Sequence, residues 1–412
     1  MQFRADTLDE FVSKSDALGG PGAAECNQYW HDFSYVPTIE VDQRLDPFSD
    51  EYFAAQIGLY RELSGREFEQ TKNELGDIDV AAHISATNPY NHASPAGLAV
   101  HLERLARALK FSKPPLGGKM LDMGCGWGLS SELAAYSGLD VTAIDINPQF
   151  VDLINQRAEV GNRKISARKS SFDSFSSEER YDIIQFYECF HHAAKPWELT
   201  DRMAAHLKPG GKIVLSGEPV NQIWWKNWGL RLDALSIYCI RKFGWFESGW
   251  SQPFLLDMFQ RSGFDVEVFD HADPEVGQIW VANLRERRAL DLDDVISSWN
   301  MQGLTRDSSY IIGSGECVFT PIFDDGVQLI TVQFENYRAH PVTVISRASA
   351  GTAVSEPHSV TYPSGRHFIS LDRSYAGKTL HLDIESWHPS VEFGSDDSRA
   401  HGIHISRIFA VR

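Results

Sequence analysis

The stretch Met120-Leu121-Asp122-Met123-Gly124-Cys125-Gly126-Trp127-Gly128-Leu129 decides how the rest of this chain is read. An apolar run ends beside an aspartate, three glycines then alternate, and a helical pattern follows, which together predict a strand, a tight turn and a helix. Such a turn brings backbone N–H groups and a helix N-terminus close to a ligand, because missing side chains allow close approach and positive φ. A dinucleotide site asks for G-x-G-x-x-G. The spacing here is D-x-G-x-G-x-G.

On both sides of this loop the chain has ordered signals. Strand patterns at 119–123, 140–144, 165–169, 181–187 and 212–216 alternate with helical patterns at 129–136, 148–160 and 197–207. Asn147 and Pro148 supply a cap and a first-turn proline for the second helix. Lys208-Pro209-Gly210-Gly211 is read as the turn into the fifth strand. The alternation predicts an α/β fold with a parallel sheet and right-handed crossovers. A helix at 252–262 and strands at 264–269 and 278–283 follow. The last two are joined by a turn too short for a crossover helix, so they are expected to pair antiparallel.

Residues 1–110 read as a helical N-terminal cap, with an aromatic cluster at 29–33, a helix at 50–61 and another at 95–109. In the last of these, Leu98, Leu102, Leu105, Ala106 and Leu109 recur at helical spacing. Tyr90 and His92, in a turn-rich interval between them, either line a pocket or make local loop hydrogen bonds. The main domain spans 111–288, with an aromatic-rich insertion at 221–250 that holds Trp224, Trp225, Trp228, Tyr238, Phe243, Trp245, Phe246 and Trp250. From 300 to 412 the texture changes to short strand signals at 318–319, 327–334, 342–346, 359–362, 367–371, 380–384 and 402–411. Leu380, Leu382 and Ile384 alternate with His381, Asp383 and Glu385, and several such strands at short spacing predict an all-β sandwich. His401 and His404, three apart on a predicted strand, are expected on opposite faces of it.

The chain has 412 residues, 42% of them apolar and 23% charged, so two or three domains are expected. A formal net charge of −18 argues against a nucleic-acid partner, which needs a basic face. Cys26, Cys125, Cys189, Cys239 and Cys317 are odd in number and scattered, and they read as reduced thiols. No basic-then-apolar leader and no apolar run of ~18–20 residues is present, and a cytoplasmic location is expected.

Asp122, Gly124, Gly126 and Gly128 resemble the first motif of class I S-adenosylmethionine-dependent methyltransferases. With the proline-glycine turn and the terminal hairpin, the resemblance covers about 117–283 and implies a Rossmann-like seven-stranded methyltransferase sheet. It further implies S-adenosyl-L-methionine as cofactor, with the backbone amides around Gly124, Cys125, Gly126 and Gly128 near its amino-acid part. Asp145, followed by Ile146, would accept hydrogen bonds from both ribose hydroxyls. Phe172 and Asp173 lie where the family holds adenine, although the usual Gly-Asp start is Ser170-Ser171 here.

Tyr187 and the residues after it close the fourth strand, whose carboxyl end faces the ligand crevice. Methyl transfer from an activated sulfonium asks the protein to orient the acceptor and, for a hydroxyl, to take its proton. His191 or His192 is the expected base and Glu188 the second candidate; otherwise they pack and cap the next helix. Glu218 is expected to orient an acceptor hydroxyl, or with one of these histidines to hold a divalent ion, and no metal is expected.

The indole-rich insertion reads either as a substrate-recognition surface or as the core of a helical subdomain. Lys226, Arg231, Arg241 and Lys242 would meet an anionic acceptor or a membrane surface. The segment 396–403 resembles terminal segments of β-sandwich modules attached to bacterial polysaccharide-assembly enzymes. The expected acceptor is a sugar hydroxyl of a bacterial surface glycan or glycosylated metabolite. A small-molecule O- or N-methyltransferase is the alternative, and a third reading makes the sheet a degenerate scaffold beside a glycan- or protein-binding sandwich. Peripheral membrane or glycan-assembly proximity and a homo-oligomer are left open.

Overall fold

In the computed structural model of the protein, which describes residues 2–73, 78–90, 94–221, 225–307, 309–338, 340–362 and 365–411, the strand signals after residue 118 join into a seven-stranded sheet. The longest helices before it are α1 (Leu8–Ala17), α2 (Asp50–Ser64) and α3 (Pro95–Ser112). Then come β1 (Lys119–Met123), α4 (Leu129–Tyr136), β2 (Asp140–Asp145), α5 (Pro148–Val160), β3 (Ile165–Lys169), β4 (Tyr181–Tyr187) and α6 (Pro196–Ala205). The unit closes with β5 (Leu207–Ser216), α7 (Ala234–Phe243), α8 (Gln252–Arg261), β6 (Phe264–Phe269) and β7 (Ile279–Leu284). Ser49, Ser94 and Asn147 cap α2, α3 and α5 by accepting N–H bonds from Tyr52, Gly97 and Gln149.

The strand order is β6-β7-β5-β4-β1-β2-β3, and β1 to β5 pair in parallel. β7 lies between β6 and β5 and runs antiparallel to β5, which makes the sheet mixed and Rossmann-like. Ala108 of α3 and Ala134 of α4 pack on Met120, Val141, Ile183, Val214 and Val281, while α5 sets Val151 and Ile154 on Ala143 and Ala167. Each large apolar side chain buried this way contributes about 1.5–3 kcal/mol.

One boundary differs from the expected one. The helix before β5 ends at Ala205, and Leu207 already pairs with Tyr181. Lys208-Pro209-Gly210-Gly211 bulges between that pair and Ile183–Lys212 rather than preceding the strand. Gly210 takes φ +73°, and a Cβ on Gly211 would lie 3.0 Å from the Tyr181 carbonyl oxygen, so the bulge needs its glycines.

The first 110 residues and the aromatic insertion pack on one another. Tyr52 Oη donates to the Trp228 carbonyl at 2.5 Å, Tyr60 Oη donates to the Gly244 carbonyl at 2.7 Å, and Leu230 N donates to Gln56 Oε1 at 3.1 Å. Trp228, Phe246 and Trp250 are at most 1% exposed. Most of the insertion is therefore core, not a surface of indole faces. Arg241 pairs with Asp9 at 2.7 Å and Lys242 with Asp16 at 2.6 Å, and Arg231 lies between Asp233 and Glu247. Of the four cations assigned to an anionic acceptor or a membrane, three are engaged within the protein. Trp224 and His92 lie outside the described residues.

Arg157 ties α5 to residues 83–86, which lie between α2 and α3. Buried to 4% side-chain exposure, it pairs with Glu132 at 2.6 Å and donates to the carbonyls of His83 and Ala86 at 2.7 and 2.8 Å. Removing Arg157 leaves Glu132 with Arg163, at 3.2 Å and partly exposed, and strands the His83 and Ala86 carbonyls. Arg157→Met is expected to lower unfolding free energy by about 3 kcal/mol in a urea titration, and Glu132→Gln in the same chain to restore part of the loss. A loss within experimental error would show that the pair is not needed.

Arg285–Arg412, with Gln260–Phe264, forms a second compact unit. Its ten strands make one antiparallel sheet. Val342, Val344 and Leu371, from strands near opposite ends of the hydrogen-bonded order, share one core with Ile330, Phe334 and Ile405. The sheet therefore curls over itself, consistent with a sandwich. Arg287–Leu290 and Gln302–Asp307 are strands with too many charged and polar residues to show alternation in the sequence. Histidines 401 and 404 do not point to opposite faces. The strand starts only at Ile403, so His401 precedes it and its Nδ1 lies 2.7 Å from His404 Nε2, both rings buried beside Trp387. Among the described residues no helix is long and apolar enough to cross a membrane.

Candidate active site

At the carboxyl ends of β1, β2, β3 and β4 a cavity of about 590 Å3 opens in the first unit. Its floor is the loop after β1. Gly124, Gly126 and Gly128 have φ of +65°, +48° and +86°, a backbone shape that side chains resist. Their surroundings differ. A Cβ on Gly124 would lie 2.9 Å from Cys189 Sγ and one on Gly128 2.7 Å from Ile154 Cγ1, whereas one on Gly126 would meet nothing within 4 Å. Gly126 thus borders open space, and Gly128 serves packing against α5 without lining the cavity.

Asp145, at the end of β2, anchors the loop. Its Oδ2 accepts from Gly126 N at 2.9 Å and its Oδ1 from Asn147 N at 2.9 Å. Asp145 also lines the cavity. Burial raises its pKa. Cys125, Ile146, Phe172 and Asp173 line the same space, with Asp173 also ion-paired to Arg202 at 2.7 Å. Burial pushes the Cys125 thiol well above its usual pKa, so it is protonated.

Asp122 is not at the cavity. Fully buried beneath the loop, its Oδ2 accepts from Ser130 Oγ and Ser131 Oγ, both at 2.5 Å, and so holds the first turn of α4. Burial raises its pKa to about 6. A carboxyl raised on folding binds its proton more tightly in the folded chain than in the unfolded one, so it favours the fold as pH drops through 6 toward 4. Asp122→Asn removes the titrating group. The stability of the wild type relative to this variant is therefore expected to rise between pH 7 and pH 4.5, measured by urea unfolding at each pH. A difference independent of pH would show that Asp122 stays ionised when folded.

The opposite chemistry gathers around β4. Tyr187, Glu188 and His192 line the cavity, and α3 adds His101. Glu188 has φ +51°, a conformation that costs a side-chain-bearing residue about 1–2 kcal/mol. Arg104 of α3 holds its carboxylate, and burial raises its pKa against that pull. His101 Nδ1 hydrogen-bonds Tyr187 Oη and lies 3.8 Å from Glu188 Oε2. A carboxylate on that side favours the proton on Nδ1 and leaves Nε2 with its lone pair. Tyr90, Trp127, Phe150 and Trp245 make the walls aromatic.

Two expected residues turn away. Glu218 is 1% exposed at its side chain, and its carboxylate accepts the backbone N–H groups of Cys189, Phe190 and His191 at 2.9, 2.8 and 3.1 Å, capping the short 3-10 turn Phe190–His192. No acceptor can reach it there. His191 points back into the same interior, its Nδ1 3.0 Å from Glu218 and its Nε2 3.5 Å from Glu247. Burial lowers His191 to about 4 and raises Glu218 to about 7. Neither lines the cavity.

Sequence reasoning missed His101, Gln70, Trp127 and Phe150. His101 carried a signal: it falls between Leu98 and Leu105 on the buried stripe of α3, where an imidazole needs a reason to be. Trp127 sits inside the glycine motif itself.

Residues 90–269 match the family model described as a methyltransferase domain. This segment is an S-adenosylmethionine-dependent methyltransferase domain. The ubiquinone biosynthesis O-methyltransferase of Xanthomonas axonopodis pv. citri is 34% identical over 119 residues, 28% of this chain and 48% of that protein. The protein of the same name from Coxiella burnetii is 34% identical over 101 residues, 24% of this chain and 43% of its own. The chain spans about half the length of the curated relatives it matches. Among solved structures, the Burkholderia thailandensis 1,6-didemethyltoxoflavin-N1-methyltransferase with S-adenosylhomocysteine aligns at 18% identity and a TM-score of 0.36, over 46% of this chain and 79% of that one.

Proposed function

We propose that this protein transfers a methyl group from S-adenosylmethionine to a hydroxyl of a small acceptor held against the aromatic wall of the methyltransferase-domain cavity. The observation that carries the reading is the meeting, in one cavity, of the open Gly126–Asp145 floor with the His101–Tyr187–Glu188 group. In this reading Asp145 takes the ribose hydroxyls, and the Gly124-Cys125-Gly126 amides meet the amino-acid end. Phe172 and Asp173 face adenine. His101 Nε2 accepts the acceptor proton while Tyr187 and Glu188 fix the other ring nitrogen, the arrangement of a base oriented by a third group. Arg104 neutralises Glu188, so the carboxylate orients the imidazole without adding net charge.

A small hydroxyl acceptor is favoured over a glycan because Trp228, Phe246 and Trp250 are core, which leaves Trp245, among the described residues, as the insertion's contribution to the cavity. The names of the curated relatives, O-methyltransferases, point the same way. The test is a labelled-methyl transfer screen that sets small phenols and hydroxylated metabolites against nucleotide sugars, oligosaccharides and lipid-linked glycans. Label in the first group is expected. Label confined to sugars would restore the glycan acceptor, and a chain that fails to bind S-adenosylhomocysteine in calorimetry would leave the sheet a scaffold.

A further inference from the structure

Behind the cavity wall, His191, His192 and Glu247 offer ligand atoms that lie within 4.8 Å of one another. The charge arrangement there is incomplete. Glu218 accepts three backbone N–H bonds, and as a carboxylate it takes a fourth from His191 Nδ1 at 3.0 Å, which places the ring proton on that nitrogen whenever Glu218 is ionised. His191 Nε2 is then left with a lone pair, and 3.5 Å away it faces a carboxylate oxygen of Glu247, a residue 6% exposed. With Glu247 ionised, two acceptors face each other in the interior, which costs free energy unless a proton or a metal ion sits between them. Arg231 reaches Glu247 only at 3.6 Å and is shared with Asp233 at 3.1 Å.

We propose that His191, His192 and Glu247 bind one divalent cation of the zinc–cobalt class. Two ligands ~2.1 Å from a tetrahedral ion lie about 3.4 Å apart, and the His191–Glu247 separation matches that edge. Two imidazoles and one carboxylate suit borderline ions rather than calcium or magnesium. Glu218 supplies the outer carboxylate that fixes the ring proton on Nδ1 and aims Nε2 at the ion, the usual second partner of a ligating histidine. Three protein ligands leave a coordination position open. Because His192 also lines the cavity, the ion sits in its wall, where an acceptor oxygen would be polarised and its proton made easier to remove. That role rests on the methyl-transfer reading; the binding site itself rests only on these side chains.

The test uses the full chain after chelator treatment, titrated with cobalt(II) alone and followed by visible absorption, with zinc displacing it, and S-adenosylhomocysteine calorimetry on the same sample. One equivalent of cobalt with the absorption of a low-coordinate site is expected. Glu247→Gln and His192→Ala should each weaken it at least tenfold, and Glu218→Gln by ten- to a hundredfold. If Glu247→Gln does not fold, His192→Ala, at the cavity wall, decides. A wild type that binds S-adenosylhomocysteine but takes up no stoichiometric cobalt, or binding untouched by His192→Ala, overturns the proposal; in the first case a proton on Nε2 is the cation. Cobalt uptake without S-adenosylhomocysteine binding would keep the metal site and remove the methyl-donor reading.

Discussion

Asp145→Ala is expected to weaken S-adenosylhomocysteine binding by at least ~100-fold. Two hydroxyl-to-carboxylate hydrogen bonds are at stake, each about 1.5–3 kcal/mol when the acceptor is charged, and about 2.8 kcal/mol is two powers of ten. The change also strands the Gly126 and Asn147 amides, whose partners are the two oxygens of this carboxylate. The floor of the cavity therefore loses shape as well as charge. Asp145→Asn keeps one acceptor and should fall between wild type and alanine. Calorimetry measures both, with thermal unfolding to confirm that each variant is folded. An alanine variant that binds within tenfold of wild type would remove the ribose assignment.

His101→Ala should lower kcat by roughly 10²–10³, the usual worth of a positioned general base, with the affinity for S-adenosylhomocysteine unchanged. Base loss acts on the step that removes the acceptor proton and not on the cofactor floor, so the two readouts separate. Tyr187→Phe keeps the ring and removes the hydroxyl bonded to His101 Nδ1; its effect should be smaller, because Glu188 still orients the imidazole. A kcat within threefold of wild type in His101→Ala would exclude the base role and leave His192, on the same cavity, as the remaining imidazole.

How far the sequence alone reached is clearest at particular residues. The glycine loop, Asp145 and the strand ends were legible because their signals are local: glycine spacing, a carboxylate closing an apolar run, proline after an asparagine cap. In each case the backbone conformation depends on a few neighbours in the chain. Glu218 and His191 were legible as strand-end residues, but their direction was not. Whether a side chain after a strand faces the crevice or caps the neighbouring turn depends on the register of β4 and β5 and on which backbone amides lack a partner. Three such amides, at 189 to 191, captured Glu218.

The insertion makes the same point on a larger scale. Its aromatic density was plain in the sequence. Its use was not, because Tyr52, Gln56 and Tyr60, more than 160 residues earlier, supply the partners that bury it. His101 likewise enters the cavity only because α3 packs beside β5 and β7.

By itself, then, the sequence determined the sheet, the glycine floor and the kind of cofactor it can hold, all set by short-range pattern and backbone sterics. The tertiary structure decided which imidazoles and carboxylates face the cavity and which are buried as caps, because that choice is made by long-range packing and by where buried hydrogen-bonding groups find partners.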